Sequence, residues 1–569
     1  MSKTKGKATA VKQSSVSLFK LHATWKSDVA FLLVIILLAF AIRYVSLSDN
    51  GITFDEPIYT LFGMDYIDNL VHLNFNAQDW AKNMEHPPVS KYIYGATAYL
   101  AMEIFPSHNA YDGTKLASAL MGVMTCVLVY LIGREFLDQK TGFTAAIILA
   151  LLPTFLAHTQ IAALESPLAL FVTLAMYLYM LAIKNESRKL FLASAVAFGL
   201  VISTKYNGII ILPVMALFFL IYQLSQIKVL EGRLDLSTLK SNSGKFVRIE
   251  SGILFLGVAI LLFFVLWPLL WTGPIGHLQE SLDHWTYPIT EYFLGARVTP
   301  PLYYFPVYFA VTLPALLFLP LAIGTAAVIR SRNPFKMALL LWFIVPFAYN
   351  FSSFIQDGIR YIFIIYPAVA LLCAIGLVGA ADWIGKLAGA RFNGITATRV
   401  FWTLTALTLI YLLITIASVY PYYLDYYNEF TGGAKNVQEH QLFEISWWGE
   451  GIKECMDWVG DTAPSDASVM MLTLPEDTAN TRPFIQDQFY IYPWLSAING
   501  TDKVYTFSQE PLMMPRDDGK MWPVVPDYII YNQKMRDDFN VTLADPGYTL
   551  VYQATAQGAW LAQVYKKNY

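Results

Sequence analysis

Apolar runs of roughly 16 to 25 residues recur through the first three quarters of the chain, each long enough to cross about 30 Å of hydrocarbon at about 1.5 Å per residue. They lie near residues 28–48, 114–133, 141–158, 164–183, 190–204, 207–225, 251–271, 303–329, 337–351, 361–382 and 400–420, which gives about eleven transmembrane spans. A shorter stretch, 91–105 (KYIYGATAYLAMEIF), reads as a juxtamembrane helix in the interface. The composition agrees with a lipid-facing chain: 56% of residues are hydrophobic and 14% charged, with a mean hydropathy of +0.45, where a soluble domain carries about a quarter charged. A net charge of −3 leaves no basic surplus of the kind that nucleic acid requires. Cys126, Cys373 and Cys455 are spaced neither as a disulfide framework nor as a zinc site.

The connections between runs set an orientation, because the cytoplasmic side retains Lys and Arg. Lys3, Lys5, Lys7, Lys12, Lys20 and Lys26 precede the first run without a small-residue cleavage site, so residues 1–27 read as a cytoplasmic segment before an uncleaved span. Eleven crossings then place Arg134 and Lys140, the cluster at Lys184, Arg188 and Lys189, Lys228 through Arg248, the cluster at Arg330, Arg332 and Lys336, and Lys386, Arg391 and Arg399 all inside. The loops near 49–90 and 272–302, the turn near 352–359 and the tail fall outside. A crossing at 91–105 would invert every later cluster.

The membrane domain is thus expected over 28–420, with an extracytoplasmic soluble domain of mixed α/β type over 421–569. In that tail one amphipathic helical piece (GIKECMDWVG) precedes β-rich runs: ASVMMLTL, KVYTF, PDYIIYN, YTLVYQ and WLAQVYK. Triplets at Asn499 and Asn540 have the glycosylation pattern, which also arises by chance.

Ionisable residues on the outer side are few, and several sit at the ends of apolar runs. Asp55 and Glu56 follow the first run, Glu85 and His86 stand before Pro87-Pro88 and Lys91, and Glu165 heads the fourth run. An acidic loop start is as readily a solvated turn, and an ionisable group at a span end can simply reach for water. Three such features on one face carry more weight than any one alone. The outer cations are Lys91, Lys115, Lys205, Arg297 and Arg360. Lys205 and Arg297 read first as interfacial anchors, while Arg360, followed by Tyr361, is favoured as a ligand for a phosphate group. Aromatic residues crowding the outer margins, among them Trp267, Trp271, Trp285, Tyr287, Tyr303 and Tyr304, form an interfacial belt.

TFDEPIY, HPPVSK, QIAALESPLALF, STKYNG, PLYYFPVYFAVTLP and DGIRYIFIIYP, in that order over roughly 28–385, resemble the protein O-mannosyltransferase family and its bacterial and archaeal relatives. This wider group has the GT-C membrane fold and includes the aminoarabinose transferases of lipid A. PYYLDYYNEFTGG and WWGEG resemble the segment after the last span in some prokaryotic members. The resemblance implies a membrane glycosyltransferase with a polyprenyl- or dolichyl-phosphate-linked monosaccharide as donor and an inverting single displacement. The acceptor would be a hydroxyl of protein Ser/Thr, lipid or glycan, on the extracytoplasmic face of the cell membrane. Asp55 matches the family's catalytic residue, with Glu56 as its partner and Glu165 at a position where Asp is frequent. Glu85, His86, Lys91, Lys205, Arg360 and Tyr361 lie on or beside motif positions that imply substrate binding, as does Lys115, where the family usually has Arg. No cofactor or resident metal is expected. Two rival readings are a secondary transporter, which would show repeated halves and a midplane site, and an oligosaccharyltransferase-like enzyme, which would need metal-binding acidic spacing in the first loop. Trp447 and Trp448 read as a packing anchor between tail and membrane.

Overall fold

The computed structural model describes residues 25–104, 110–226, 228–230, 233–235, 249–285, 290–351, 357–389, 396–464, 467–472, 490–493, 503–505, 512–515, 521–534 and 541–568. The lysines before Lys26, Tyr287, Arg248, Arg391 and both glycosylation asparagines lie outside these residues. Among the described residues, six helices are long and apolar enough to cross a membrane: Lys26–Ser46, Ala110–Phe136, Glu165–Lys184, Tyr206–Ser225, Arg360–Ala388 and Ala397–Val419. A bent pair, Tyr304–Thr312 and Ala315–Ser331, makes a seventh if counted as one span. The other runs form shorter apolar helices, Gln139–Leu151, Arg188–Ile202, Ser251–Leu266 and Pro334–Tyr349. Of the stretch 91–105, residues 91–104 belong to the helix Val89–Ile104, which packs between Glu56–Val71 and Ala110–Phe136.

Proline explains where the apolar runs are broken. The expected run at 303–329 turns through 109°, because Pro314 supplies no N–H and biases its predecessor toward extended backbone; Leu313 has φ −81° and ψ 128°. The carbonyls released at the break are met from the tail. The Asn428 side-chain amide donates to Ala310 O and Leu313 O, both at 2.7 Å, and its backbone N–H donates to Val311 O at 2.9 Å. The run at 141–158 is likewise split at Pro153 into Gln139–Leu151 and Pro153–His158.

Glycine sets the closest helix approaches. A Cβ on Gly95 would lie 2.0 Å from Gly63 O, and one on Gly376 would lie 1.8 Å from Pro320 O. The first contact seats the helix that begins just after Asp55 against Val89–Ile104. The second seats the long Tyr366–Gly389 helix against Phe318–Ser331.

Beyond Val419 the chain forms a five-stranded mixed sheet. Its strand order is Tyr548–Ala556, Ala559–Lys567, Tyr528–Asn532, Ser468–Leu472 and Tyr490–Pro493, the first two neighbouring pairs antiparallel and the last two parallel. The hairpin turn uses Gln557 and Gly558, both at positive φ, which matches the twist of a two-residue connection. The helix Ile452–Thr462 presents Ile452, Cys455, Met456 and Val459, one face at helical spacing, to Val469, Met471, Ile530 and Val564 of the sheet.

Two buried carboxyls fasten the start of this tail. Asp425 accepts the Ser446 N–H at 2.7 Å and Glu450 accepts the Trp448 N–H at 3.0 Å, leaving Asp425 Oδ2 and Glu450 Oε1 without partners. Burial raises both groups: Asp425, also opposed by Glu450, goes well above the carboxylate range, and Glu450 goes up to about 7 although Lys534 pulls it down.

Gly95→Ala and Gly376→Ala are expected to cost about 1–3 kcal/mol by overpacking and to lower the thermal midpoint of the detergent-solubilised protein. Gly257→Ala, where an added Cβ meets nothing, should leave it unchanged or slightly raised. Because the folded-state value of Glu450 lies above its unfolded one, the stability it contributes is present at low pH and lost as pH rises through about 7, and Asp425, also raised, acts in the same direction. Hydrogen exchange of the 422–428 and 446–450 amides should therefore speed up across that range, and Asp425→Asn with Glu450→Gln should flatten the dependence.

Candidate active site

The helix Glu56–Val71 starts just after Asp55, and Asp55 does not cap it with its side chain. Its carboxylate turns instead to Arg360, whose Nη2 donates to Asp55 Oδ2 at 2.6 Å. The same guanidinium donates through Nε to Glu165 Oε1 at 3.1 Å and through Nη1 to Asp357 Oδ2 at 3.0 Å. Lys205 Nζ meets the shared oxygen Glu165 Oε1 at 2.8 Å. Asp55, Glu165, Lys205 and Arg360 are all at most 8% exposed. Arg360 thus joins the loop after the first apolar helix, the head of the Glu165–Lys184 helix and the Asp357 turn at one point.

Aromatic rings enclose the cluster. The Trp448 ring lies 4.2 Å from the Arg360 guanidinium and Trp447 lies at 6.0 Å. Lys205 Nζ sits 4.5 Å from the Tyr361 ring, which stacks on Tyr349 and meets Trp285 edge-on. Trp448 therefore anchors the tail, its carbonyl accepting the Phe54 N–H at 3.2 Å, and it also covers the cluster's central cation. Burial raises the Asp55 carboxyl, while Arg360 and Lys205 oppose the shift. Asp55 Oδ2 is taken by Arg360; no partner for Oδ1 occurs among the described residues.

The remaining candidates divide by what their polar atoms touch. Glu56 is 0% exposed, and its two oxygens accept the Ala162 N–H at 2.9 Å, the Thr53 N–H at 2.7 Å and the Thr53 hydroxyl at 3.1 Å. Lys115, 3.7 Å from Glu56, donates to Asn50 Oδ1 at 3.0 Å and to the carbonyls of Leu47 and Gly51. Lys91 gives its ammonium to the carbonyls of Asn83 and His86. These three stabilise loop backbone. His86 is buried with Nδ1 unpartnered, edge-on to Trp285. Burial, with Lys205, Lys91 and Arg360 nearby, pushes its pKa well down, so the ring is neutral. Glu85 is more exposed, accepting from Asn83 Nδ2 at 2.9 Å. Arg297 is exposed and placed over the Tyr292 ring.

Asp357, Trp448 and His158 belong to the same neighbourhood, and the sequence does not mark them as site residues. Asp357 stands in the QDGIR segment that yields Arg360, three residues ahead of it. His158 is buried with Nδ1 unpartnered, against Phe363 and Trp448; a histidine in an apolar run gives no signal of its own.

Residues 85–232 match the family described as dolichyl-phosphate-mannose-protein mannosyltransferase. That segment contains His86, Lys91, Lys115, Glu165 and Lys205. An uncharacterized protein of Aquifex aeolicus is 31% identical over 137 residues, which are 24% of this chain and 26% of that protein's length. Among solved structures, ArnT from Cupriavidus metallidurans bound to undecaprenyl phosphate is similar at 15% identity and a TM-score of 0.47, over 96% of this chain and 98% of that one. The oligosaccharyltransferase AglB from Archaeoglobus fulgidus is similar at 14% identity and a TM-score of 0.46, over 90% of this chain and 70% of that one.

Glu56→Gln leaves one acceptor oxygen for two buried backbone N–H groups and is expected to destabilise the protein by about 1–3 kcal/mol. A lowered thermal midpoint in detergent would show this; an unchanged midpoint would remove Glu56 from its bracing role.

Proposed function

We propose that this chain is a GT-C-type membrane glycosyltransferase that moves a monosaccharide, of mannose type or related, from a polyprenyl-phosphate carrier to an acceptor hydroxyl. In this reading the cluster faces the extracytoplasmic side, residues 28–420 form the catalytic membrane domain and residues 421–569 form an outer domain. The observation that carries it is the guanidinium of Arg360 holding Asp55 and Glu165 together beside Lys205 at the ends of apolar helices. The family match over 85–232 supports the class of donor.

The chemistry depends on which atoms are occupied. With Oδ2 fixed by Arg360, Asp55 has Oδ1 to accept the acceptor's hydroxyl proton. As that oxygen bonds to the anomeric carbon, the bond from this carbon to the phosphate oxygen breaks on the opposite face, and the phosphate leaves with the electron pair. General-base assistance of this kind is worth about 10²–10⁴ in rate. Arg360 retains two of its five N–H donors and Lys205 two of its three. These, with neutral His86 beside them, are the groups assigned to the phosphate. Lys91 and Lys115 act through the loops they brace, and Tyr361 seats Lys205.

Charge balance favours the same direction. Three carboxylates, Asp55, Glu165 and Asp357, face two cations, Arg360 and Lys205. Proton uptake by Asp55 neutralises the cluster at the moment negative charge grows on the departing phosphate. Preorganised compensation of this kind needs little reorganisation.

The test uses the full chain in nanodiscs with radiolabelled polyprenyl-phosphate mannose and a panel of protein, lipid and glycan acceptors. Asp55→Asn should lower transfer at least about 100-fold with polyprenyl-phosphate affinity little changed. Lys205→Ala should weaken that affinity, and a chelator should have no effect. Full transfer by Asp55→Asn would remove the base from the scheme.

A further inference from the structure

A polar chamber is lined in part by the tail residues Tyr423, Leu424, Tyr427, Glu444 and Trp447. It is a cavity of about 40 Å³, room for a few water molecules, lined by Glu291, Asp357, His158, Tyr308, Tyr427 and Trp447 among others. None of its lining residues is Lys or Arg.

Glu291 is built into it with care. It is 4% exposed, on the short strand Glu291–Phe293 of the outer loop. Tyr304 and Tyr308 donate their hydroxyls to Oε2, at 2.5 and 3.3 Å. The Tyr304 oxygen in turn accepts the Gly358 N–H at 2.6 Å, which ties Glu291 to the turn carrying Asp357 and Arg360. One carboxyl oxygen is thereby fixed, and the other, Oε1, has no partner. His158, 2% exposed, leaves Nδ1 unpartnered on the same cavity, its ring held edge-on by Phe363 and Trp448. Buried polar atoms without partners are few in native proteins and each asks for a reason; here two belong to side chains that line one cavity.

The chemistry of the walls selects the ligand. Asp357 is already paired with Arg360, and neither Lys nor Arg is among the lining residues, so the chamber offers a phosphate no free cation. The described residues contain no group of three His, Cys, Asp or Glu that could hold a metal ion. Burial, Asp357 and Glu444 push the Glu291 carboxyl well above its usual range, so that it can both donate to and accept from a neutral hydroxyl. The aromatic faces of Tyr427 and Trp447 suit the C–H side of a sugar ring. The volume admits part of a ring, not a whole glycan.

We propose that Glu291 and His158 form a subsite for the hydroxyl-bearing edge of a sugar, a hydroxymethyl group or a vicinal diol. The choice of a sugar rests on the glycosyltransferase reading; the polar subsite does not. The sugar belongs either to the lipid-linked donor or to a glycan acceptor, and recognition is the same in both cases.

Binding is read without turnover, so the result is separable from the transfer assay. Methyl α-mannoside and its monodeoxy analogues are titrated onto the full chain in nanodiscs by ligand-observed NMR. Removing the hydroxyl that enters the subsite should weaken binding about tenfold, as expected for a lost hydrogen bond to a buried group. The same loss is expected for Glu291→Leu, while Glu291→Gln, which keeps a donor and an acceptor, should stay within about threefold. Displacement of the methyl glycoside by polyprenyl-phosphate mannose, but not by polyprenyl phosphate, assigns the subsite to the donor; no displacement by either assigns it to the acceptor. Absence of saturable binding to the unaltered chain, or equal binding of every deoxy analogue, overturns the proposal. The analogue panel needs no variant, so misfolding of Glu291→Leu cannot obscure the outcome.

Discussion

A buried guanidinium must be paired, because an uncompensated charge in a low-dielectric interior costs several kcal/mol. Arg360 meets this demand with three carboxylates from three places in the sequence, one of them 305 residues away and another 195. Its planar donors fix directions as well as distances. The loop after the first helix, the head of the Glu165–Lys184 helix and the turn at Asp357 are therefore held in one relative arrangement, and Trp448 brings the tail onto the same point. Breaking this junction would release all of these segments at once.

The helices around the junction are irregular where it matters. Pro153 and Pro314 interrupt apolar runs, and the segments Tyr206–Ile210 and Arg360–Ile365 are 3₁₀ turns that lead into longer helices. Non-helical backbone at such depth is tolerated where protein satisfies it. The cluster of Asp55, Glu165, Lys205 and Arg360 forms at these helix ends and at the loops between them. Close contact of Gly63 with Gly95 lets the helix after Asp55 sit tightly beside the helix Val89–Ile104, which carries Lys91.

Much of this plan is legible from residues. Apolar length marks the helices, and Pro, Gly and Asp punctuation marks most of the tail strands. Asp55, Glu165 and Arg360 stand out as ionisable groups at run ends on one face. Other features depend on non-local geometry. Hydropathy is blind to a bend, so the run holding Pro314 reads as one span. A lysine reaching for water and a lysine paired with a buried carboxylate look alike in sequence, which is why Lys205 reads as an anchor. Lys91 and Lys115 fall on motif positions, but only the folded loops reveal that their ammonium groups meet carbonyls. Glu291 gives no sign, since its orientation comes from Tyr304 and Tyr308 once its loop has folded. Sheet order is equally hidden, because the parallel pairing of Ser468–Leu472 with Tyr528–Asn532 joins strands far apart in the chain.

Asn428 carries a consequence beyond its own hydrogen bonds. By capping three carbonyls at the Pro314 bend, a residue of the polar tail completes the backbone of a helix that is otherwise apolar. The tail is in this sense a structural subunit of the apolar helices, and a cut placed ahead of Asn428 would strip the bent helix of its cap. The part of the tail that travels with the apolar helices extends past Asn428 to Trp448, whose ring lies on Arg360 and whose carbonyl accepts the Phe54 N–H.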